Sequence, residues 1–261
     1  VGVGAGLDWK RFAQESFNTN NFIITTVVTN AQGSQTIVTR VSSPQPVRRS
    51  QVTYLPLNQS GNFSRADRWG TFSGNVGISY NVVGDPDQFQ MVAGTRNARP
   101  EYVKGVVSLN RDQKLPGDWS LLVRGSGQGA TVPLIGNEQF SLGGINSVRG
   151  YFEGDVFGDS GWFASAELRS PYLNTTLPIW MGEVPAWLRG SIFIDSGQAW
   201  LIDRGPAGEA FDRLLWGAGF GMSLNINQYV FLRFALAWPF ADTINTTAGD
   251  PRAYVTLEGQ F

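Results

Sequence analysis

Leu214-Leu215-Trp216-Gly217-Ala218-Gly219-Phe220-Gly221-Met222-Ser223-Leu224-Asn225 reads as a single strand with two unlike faces. Leu214, Trp216, Ala218, Phe220, Met222 and Leu224 fall on one side; Leu215, Gly217, Gly219, Gly221, Ser223 and Asn225 fall on the other. Such period-two alternation is the mark of a β-strand whose faces meet different surroundings. It recurs downstream, where Val230, Leu232, Phe234, Leu236 and Trp238 alternate with Phe231, Arg233, Ala235 and Ala237. Ala253, Val255, Leu257, Gly259 and Phe261 likewise oppose Tyr254, Thr256, Glu258 and Gln260. Upstream, Phe72, Val76, Ile78, Tyr80 and Val82 face away from Thr71, Ser73, Asn75, Ser79 and Asn81. Even Val3, Ala5, Leu7 and Trp9 alternate with Gly4, Gly6, Asp8 and Lys10, whereas Leu122 interrupts the pattern of its own segment.

About ten such strands are expected, at roughly 1–15, 50–63, 70–83, 100–112, 117–128, 160–172, 186–200, 213–226, 228–239 and 251–261. Each is long enough to cross a bilayer at a tilt. The connections at 112–117 and 226–228 are tight turns, while 84–99, 129–159 and 200–212 are long and rich in Gly, Pro and Asp. Residues 18–48 read as a long polar loop, with Thr36 to Val41 as one arm of a hairpin within it. Short turns at one rim and long loops at the other describe an outer-membrane barrel.

Composition alone would favour a soluble β-protein, and the faces decide against it. A soluble sandwich would carry abundant Lys and Glu on its wet face. Here the second face carries Gly, Ser, Asn and Thr with a few charges of both signs, which suits a polar lumen. Trp69, Trp119, Trp162, Trp200, Trp216 and Trp238 sit near strand ends, as an interfacial girdle requires. No run of about 18 apolar residues is present, so no transmembrane helix is expected. The expected fold is therefore all-β, a transmembrane antiparallel barrel portion spanning 1–261 with a long loop at 129–159 folded inward.

Charge and missing residue types narrow the function. The 261 residues hold 20 Lys+Arg against 21 Asp+Glu, a net charge of -1, so no cationic surplus exists to neutralise nucleic-acid phosphates. There is no Cys and no His, which excludes disulfides, thiolate metal sites and the commonest general base. No cofactor and no metal are expected, and an enzyme is the least favoured class.

The 129–159 loop contains Gln139-Phe140-Ser141-Leu142-Gly143-Gly144-Ile145-Asn146-Ser147-Val148-Arg149-Gly150-Tyr151, and the strand two further on contains Phe193-Ile194-Asp195-Ser196-Gly197. The first resembles the loop-6 signature of the Omp85 superfamily, carried by Val148, Arg149, Gly150 and Tyr151. The second resembles the superfamily's Phe-x-Asp-x-Gly wall motif, carried by Phe193, Asp195 and Gly197. Tyr54-Leu55-Pro56-Leu57 and Arg65-Ala66-Asp67-Arg68-Trp69-Gly70 look more like the two-partner secretion branch, the haemolysin-activator type transporters, than the assembly-factor branch.

This resemblance implies a sixteen-stranded outer-membrane barrel preceded by periplasmic POTRA domains. The implied partners are a secreted exoprotein, outer-membrane lipid and the barrel assembly machinery, for which Phe261 would be a recognition signal. Five strands follow the loop and about five precede it, and an open sheet edge is not tolerated in lipid. The start, Val-Gly-Val-Gly without Met or a leader, fits either a removed signal peptide or an internal fragment; the unpartnered edges lead to the expectation of a piece of a longer protein.

The two motifs make physical sense together. On the 186–200 strand, Leu188, Ile192 and Ile194 form the lipid side, which turns Arg189, Ser191, Phe193, Asp195 and Gly197 toward the lumen. A carboxylate in a narrow, partly dry lumen needs a cation, and Arg149 on an inward loop offers a bidentate one. Gly150 would allow a sharp turn or close approach, Tyr151 would pack its ring on the wall, and Gly143-Gly144 would make the loop base flexible. Alternatively Arg149 is a solvated loop residue and Asp195 pairs with Arg189 or Arg169. The leading function is a polypeptide transporter; the alternatives are an Omp85-type barrel insertase and a passive porin.

Overall fold

In a computed structural model, the described residues are 1–17, 23–29, 35–41, 46–179, 182–203, 214–227 and 229–259. Phe261, the expected assembly signal, lies outside them. The described strands among residues 1–67 pair in the manner of one long hairpin. Strand β1 (Gly2–Leu7) bends at Asp8-Trp9 into β2 (Lys10–Phe17), and β5 (Pro46–Tyr54) bends at Leu55-Pro56 into β6 (Leu57–Asp67). The pairs are β1 with β6 and β2 with β5, so the ladder crosses the bend. Between them β3 (Ile23–Thr29) and β4 (Gln35–Val41) pair as a further hairpin, the latter covering the arm expected at Thr36 to Val41.

The rest is an antiparallel meander. Strands β7 (Gly70–Asn81), β8 (Tyr102–Lys114) and β9 (Ser120–Ala130) precede the long loop. That loop carries the short strands β10 (Phe140–Leu142) and β11 (Val156–Gly158), which pair at its base. Strands β12 (Ser160–Arg169), β13 (Leu173–Ile179), β14 (Gly182–Trp200), β15 (Leu215–Ile226), β16 (Val230–Pro239) and β17 (Arg252–Gly259) follow. The main ladder runs β1-β6-β7-β8-β9-β12-β14-β15-β16-β17, with β13 paired to the early half of β14. These are the ten expected strands, in chain order.

Several features differ from the sequence reading. β6 continues past the expected end at 63 to Asp67, leaving a tight turn before β7 at Gly70. There the Asp67 carboxylate accepts from Trp69 N at 2.8 Å and from Arg111 at 2.7 and 3.1 Å. The expected first strand is broken at Asp8-Trp9, and the expected 50–63 strand at Leu55-Pro56. β14 begins at Gly182, and β13 with it makes a hairpin where a connection was expected. Finally, the 84–99 connection contains helix α1 (Pro86–Ala93). Its caps are conventional: the Asp85 side chain accepts from Asp87 N and Gln88 N, Pro86 starts the helix, and Gly94 closes it in the left-handed conformation at φ 73°. Phe89 and Val92 of α1 join Val52, Tyr54, Tyr102, Val132, Leu134 and Ile135 in a core at the long-loop end.

Register places the faces as alternation requires. Asp195 opposes Ser165 and Gly217, while Ile194 opposes Ala166 and Ala218. The apolar face stays open to its surroundings: Ile192 and Ile194 are 62% and 51% exposed, and Val255 and Leu257 are 68% and 69%. A face this apolar and this exposed belongs in lipid. Trp69 and Trp119 lie at the short-turn end, whereas Trp162, Trp200, Trp216 and Trp238 are in or next to register near the long-loop end, giving two aromatic tiers.

Ile192 and Ser191 are adjacent and face opposite ways, so they test the assignment directly. Ile192→Arg is expected to cost about 2–4 kcal/mol near the bilayer midplane and to lower the heat-modifiable, folded fraction in the membrane. Ser191→Arg is expected to assemble like the parent; equal loss in both would contradict the assigned faces.

Candidate functional site

The β10–β11 pair delivers residues 143–155 onto the polar face of β12, β14, β15 and β16. Gly143 and Gly144 both sit at φ +103°. A Cβ on Gly143 would lie 2.3 Å from the Phe152 carbonyl oxygen, and one on Gly144 2.0 Å from the Glu153 carboxylate. The glycine pair therefore fixes a tight turn and does not act as the flexible base expected from sequence. Ser147 Oγ accepts from Gly143 N at 2.8 Å, and Glu153 accepts from Ile145 N at 2.7 Å, so the turn is closed from inside.

That turn presents Arg149, which is buried together with Asp195. Asp195 Oδ2 accepts from Arg149 Nε at 2.7 Å and from Arg149 N at 3.1 Å, and Oδ1 accepts from Nη2 at 2.9 Å. The Asp195 side chain has no exposed surface, and that of Arg149 is 7% exposed. The guanidinium also donates to Glu167 at 2.8 Å and to Ser165 Oγ at 3.3 Å, and its Cζ lies 3.3 Å from the centroid of the Phe193 ring. A planar cation with five donors suits this arrangement of two carboxylates, a hydroxyl and an aromatic face, which a lysine could not satisfy. Arg189 and Arg169 do not take Asp195: Arg189 donates to Ser170 O and Ser120 Oγ, and Arg169 to Glu167.

The neighbouring motif residues seat the loop on the wall. Val148 and Tyr151 are fully buried and pack with Leu142, Val156, Phe163, Ala199 and Leu215. Tyr151 donates its hydroxyl to Trp216 O at 3.1 Å and accepts from Ala241 N at 3.0 Å. Close approach depends on glycines on both sides. Gly150 sits at φ +103° with its missing Cβ 2.8 Å from Pro239 N. On the wall, a Cβ on Gly217 would fall 2.4 Å from Arg149 O, and one on Gly197 would fall 3.2 Å from Val148 Cγ2. Gly217 is thus a site residue that alternation alone cannot distinguish from any other small lumen residue.

A second anchor, Glu138, escaped the sequence reading. Its side chain is 2% exposed, accepts from Lys10 at 2.8 Å and Tyr54 at 2.6 Å, and is also bonded by Lys104. These partners lie on β2, β5 and β8, so the near limb of the loop is tied both to the β2–β5 pair and to the main ladder. Asp159 ties the other end, accepting from Leu134 N, Gln139 and Ile202 N. No metal-binding cluster of acidic groups occurs among the described residues.

Comparison with known proteins follows the same lines. A family model described as haemolysin secretion/activation protein ShlB/FhaC/HecB matches residues 50–224. No curated protein matches the chain. Among solved structures, CdiB from Escherichia coli superposes with a TM-score of 0.61 at 18% identity, covering 98% of this chain and 45% of that one. At that identity the likeness is one of fold, and the chain spans 45% of its neighbour's length.

Burial alone would raise the Glu138 carboxyl, but hydrogen bonds from Lys10, Lys104 and Tyr54 outweigh it and hold it below its ordinary value of 4.5. A depressed carboxylate stabilises the folded state fully above its ordinary value and loses that contribution as pH falls through the lower, folded-state value. Protease cleavage within 129–142 is therefore expected to rise once the pH falls below 4.5. Glu138→Gln should already be cleaved faster at neutral pH, by about 1–3 kcal/mol in opening free energy, and should lose the acid step. Unchanged cleavage in that variant would remove Glu138 as an anchor.

Proposed function

The chain belongs to the ShlB/FhaC/HecB family of haemolysin secretion/activation proteins, outer-membrane transporters of the two-partner secretion type within the Omp85 superfamily, and from that premise we propose that it forms part of the conduit that secretes a partner exoprotein. On this reading the protein is a pore and not an enzyme, and an unfolded polypeptide passes through the barrel. The 143–155 loop is its movable internal element, held to the wall by Arg149 and Asp195. Further partners on the same reading are outer-membrane lipid on the apolar face and the barrel assembly machinery.

One observation carries the proposal: a buried, three-bond contact between Arg149 and Asp195 joins a loop to the polar face of the sheet. A passive pore needs a constriction but gives no reason for a buried ion pair, joined to a second carboxylate, at the loop tip. Glu167 receives the fourth charge-assisted bond, so the cation is shared between β12 and β14. Withdrawal of that one cation breaks the ties to both strands at once, the first step in clearing a blocked lumen without unfolding the barrel.

Removing one partner of a buried ion pair costs about 3–5 kcal/mol, so Arg149→Ala and Asp195→Ala are each expected to depopulate the seated loop. Secretion of the partner exoprotein should fall in both variants, while heat-modifiable barrel in the outer membrane stays near the parent amount. If both variants secrete normally, the lock is wrong. A general loss of other outer-membrane barrels, with the exoprotein unaffected, would instead indicate an insertase.

A further inference from the structure

The Arg149 side chain accounts for only one side of the loop tip. The backbone of the next two residues is held from β17. Tyr254 Oη accepts from Gly150 N at 2.9 Å and donates to Tyr151 O at 2.7 Å, so one hydroxyl closes a ring around residues 150–151. Its aromatic ring packs on the cluster of Phe193, Ala235 and Ala237, the same Phe193 that lies under the Arg149 guanidinium. Two residues before it, Arg252 stacks on Phe152 with Cζ 3.4 Å from the ring centroid. The 240–251 connection continues the grip: Thr246 accepts from Phe152 N, and Asp155 accepts from Thr243, Asn245 and Thr246.

Buried backbone donors and acceptors need partners. In the segment 149–151, Arg149 N is satisfied by Asp195 and both Gly150 N and Tyr151 O by Tyr254. The two wall side chains hold the backbone from different strands of one sheet, β14 and β17, on either side of Gly150, which sits at φ +103°. We infer that Tyr254 is a positioning residue of the lock: it fixes the 150–151 backbone so that Arg149 reaches Asp195, and it thereby links seating of the loop to the position of β17. This rests on the loop-lock reading of the function. β17 pairs only with β16 among the described residues, so a displacement of this strand would pull directly on the loop tip.

The test uses a single spin label at Asn146, an exposed residue of the loop, in protein assembled in the outer membrane; the 261 residues hold no cysteine, so Asn146→Cys gives one site among them. Tyr254→Phe keeps the ring and removes the hydroxyl. Loss of this bridge is expected to raise the mobile, unseated fraction of the label roughly tenfold, with the heat-modifiable fraction unchanged. Thr256→Val, on the same face one pair further from the loop, should leave the label immobile, and Arg149→Ala should mobilise it. A label that stays immobile in Tyr254→Phe but is mobilised by Arg149→Ala overturns the positioning role and leaves the lock standing. A label immobile in both overturns the lock and the clamp together. Should Tyr254→Phe assemble poorly, amide hydrogen exchange on the unsubstituted protein decides: Gly150 N is expected to exchange far more slowly than Asn146 N, and equal rates overturn the proposal.

Discussion

Asp195 has no exposed side-chain surface, and among the described residues the three hydrogen bonds its carboxylate accepts come from one residue, Arg149. A buried carboxylate is costly unless paired and bonded, so the strand that carries it demands a loop. That demand organises the polar face of the sheet. Gly217 and Gly197 leave room for the loop backbone and for Val148, Phe193 supplies a ring beneath the guanidinium, and Glu167 and Ser165 take further donors that Asp195 leaves over. Tyr254 and the 240–251 connection then satisfy the backbone beyond the arginine. Remove the ion pair and these features have no common purpose.

Much of this was legible in the sequence because strand parity is a strong rule. Ile192 and Ile194 on one face force Phe193, Asp195 and Gly197 onto the other, and the register confirms that the five main-ladder strands after the loop keep their faces. The family resemblance rested on short motifs, and the match over residues 50–224 bears it out. Loop composition also located the element that folds onto the wall.

What was not legible depends on contacts without a local signal. Glu138 meets Lys10, Tyr54 and Lys104 at separations of 128, 84 and 34 residues, and nothing near Glu138 marks it. Tyr254 alternates like any lumen residue, so its role emerges only once Gly150 and Tyr151 arrive beside it. Gly143-Gly144 suggested flexibility because glycine permits it; the positive φ and the crowding by Phe152 and Glu153 turn the same permissiveness into a fixed turn. Helix α1 is a different failure. Asp85, Pro86 and Gly94 were readable caps, but an eight-residue helix between Gly- and Pro-rich flanks offers too little periodicity to outweigh them.

The central claim is that Arg149 and Asp195 act as one contact, and a double-mutant cycle on exoprotein secretion measures it. Secretion rates would be compared in Arg149→Ala, Asp195→Ala and the double variant at matched amounts of assembled barrel. A shared contact predicts a double variant no worse than the poorer single, because the second substitution finds nothing left to remove. Losses that multiply would show that the two residues contribute separately, and would contradict the lock.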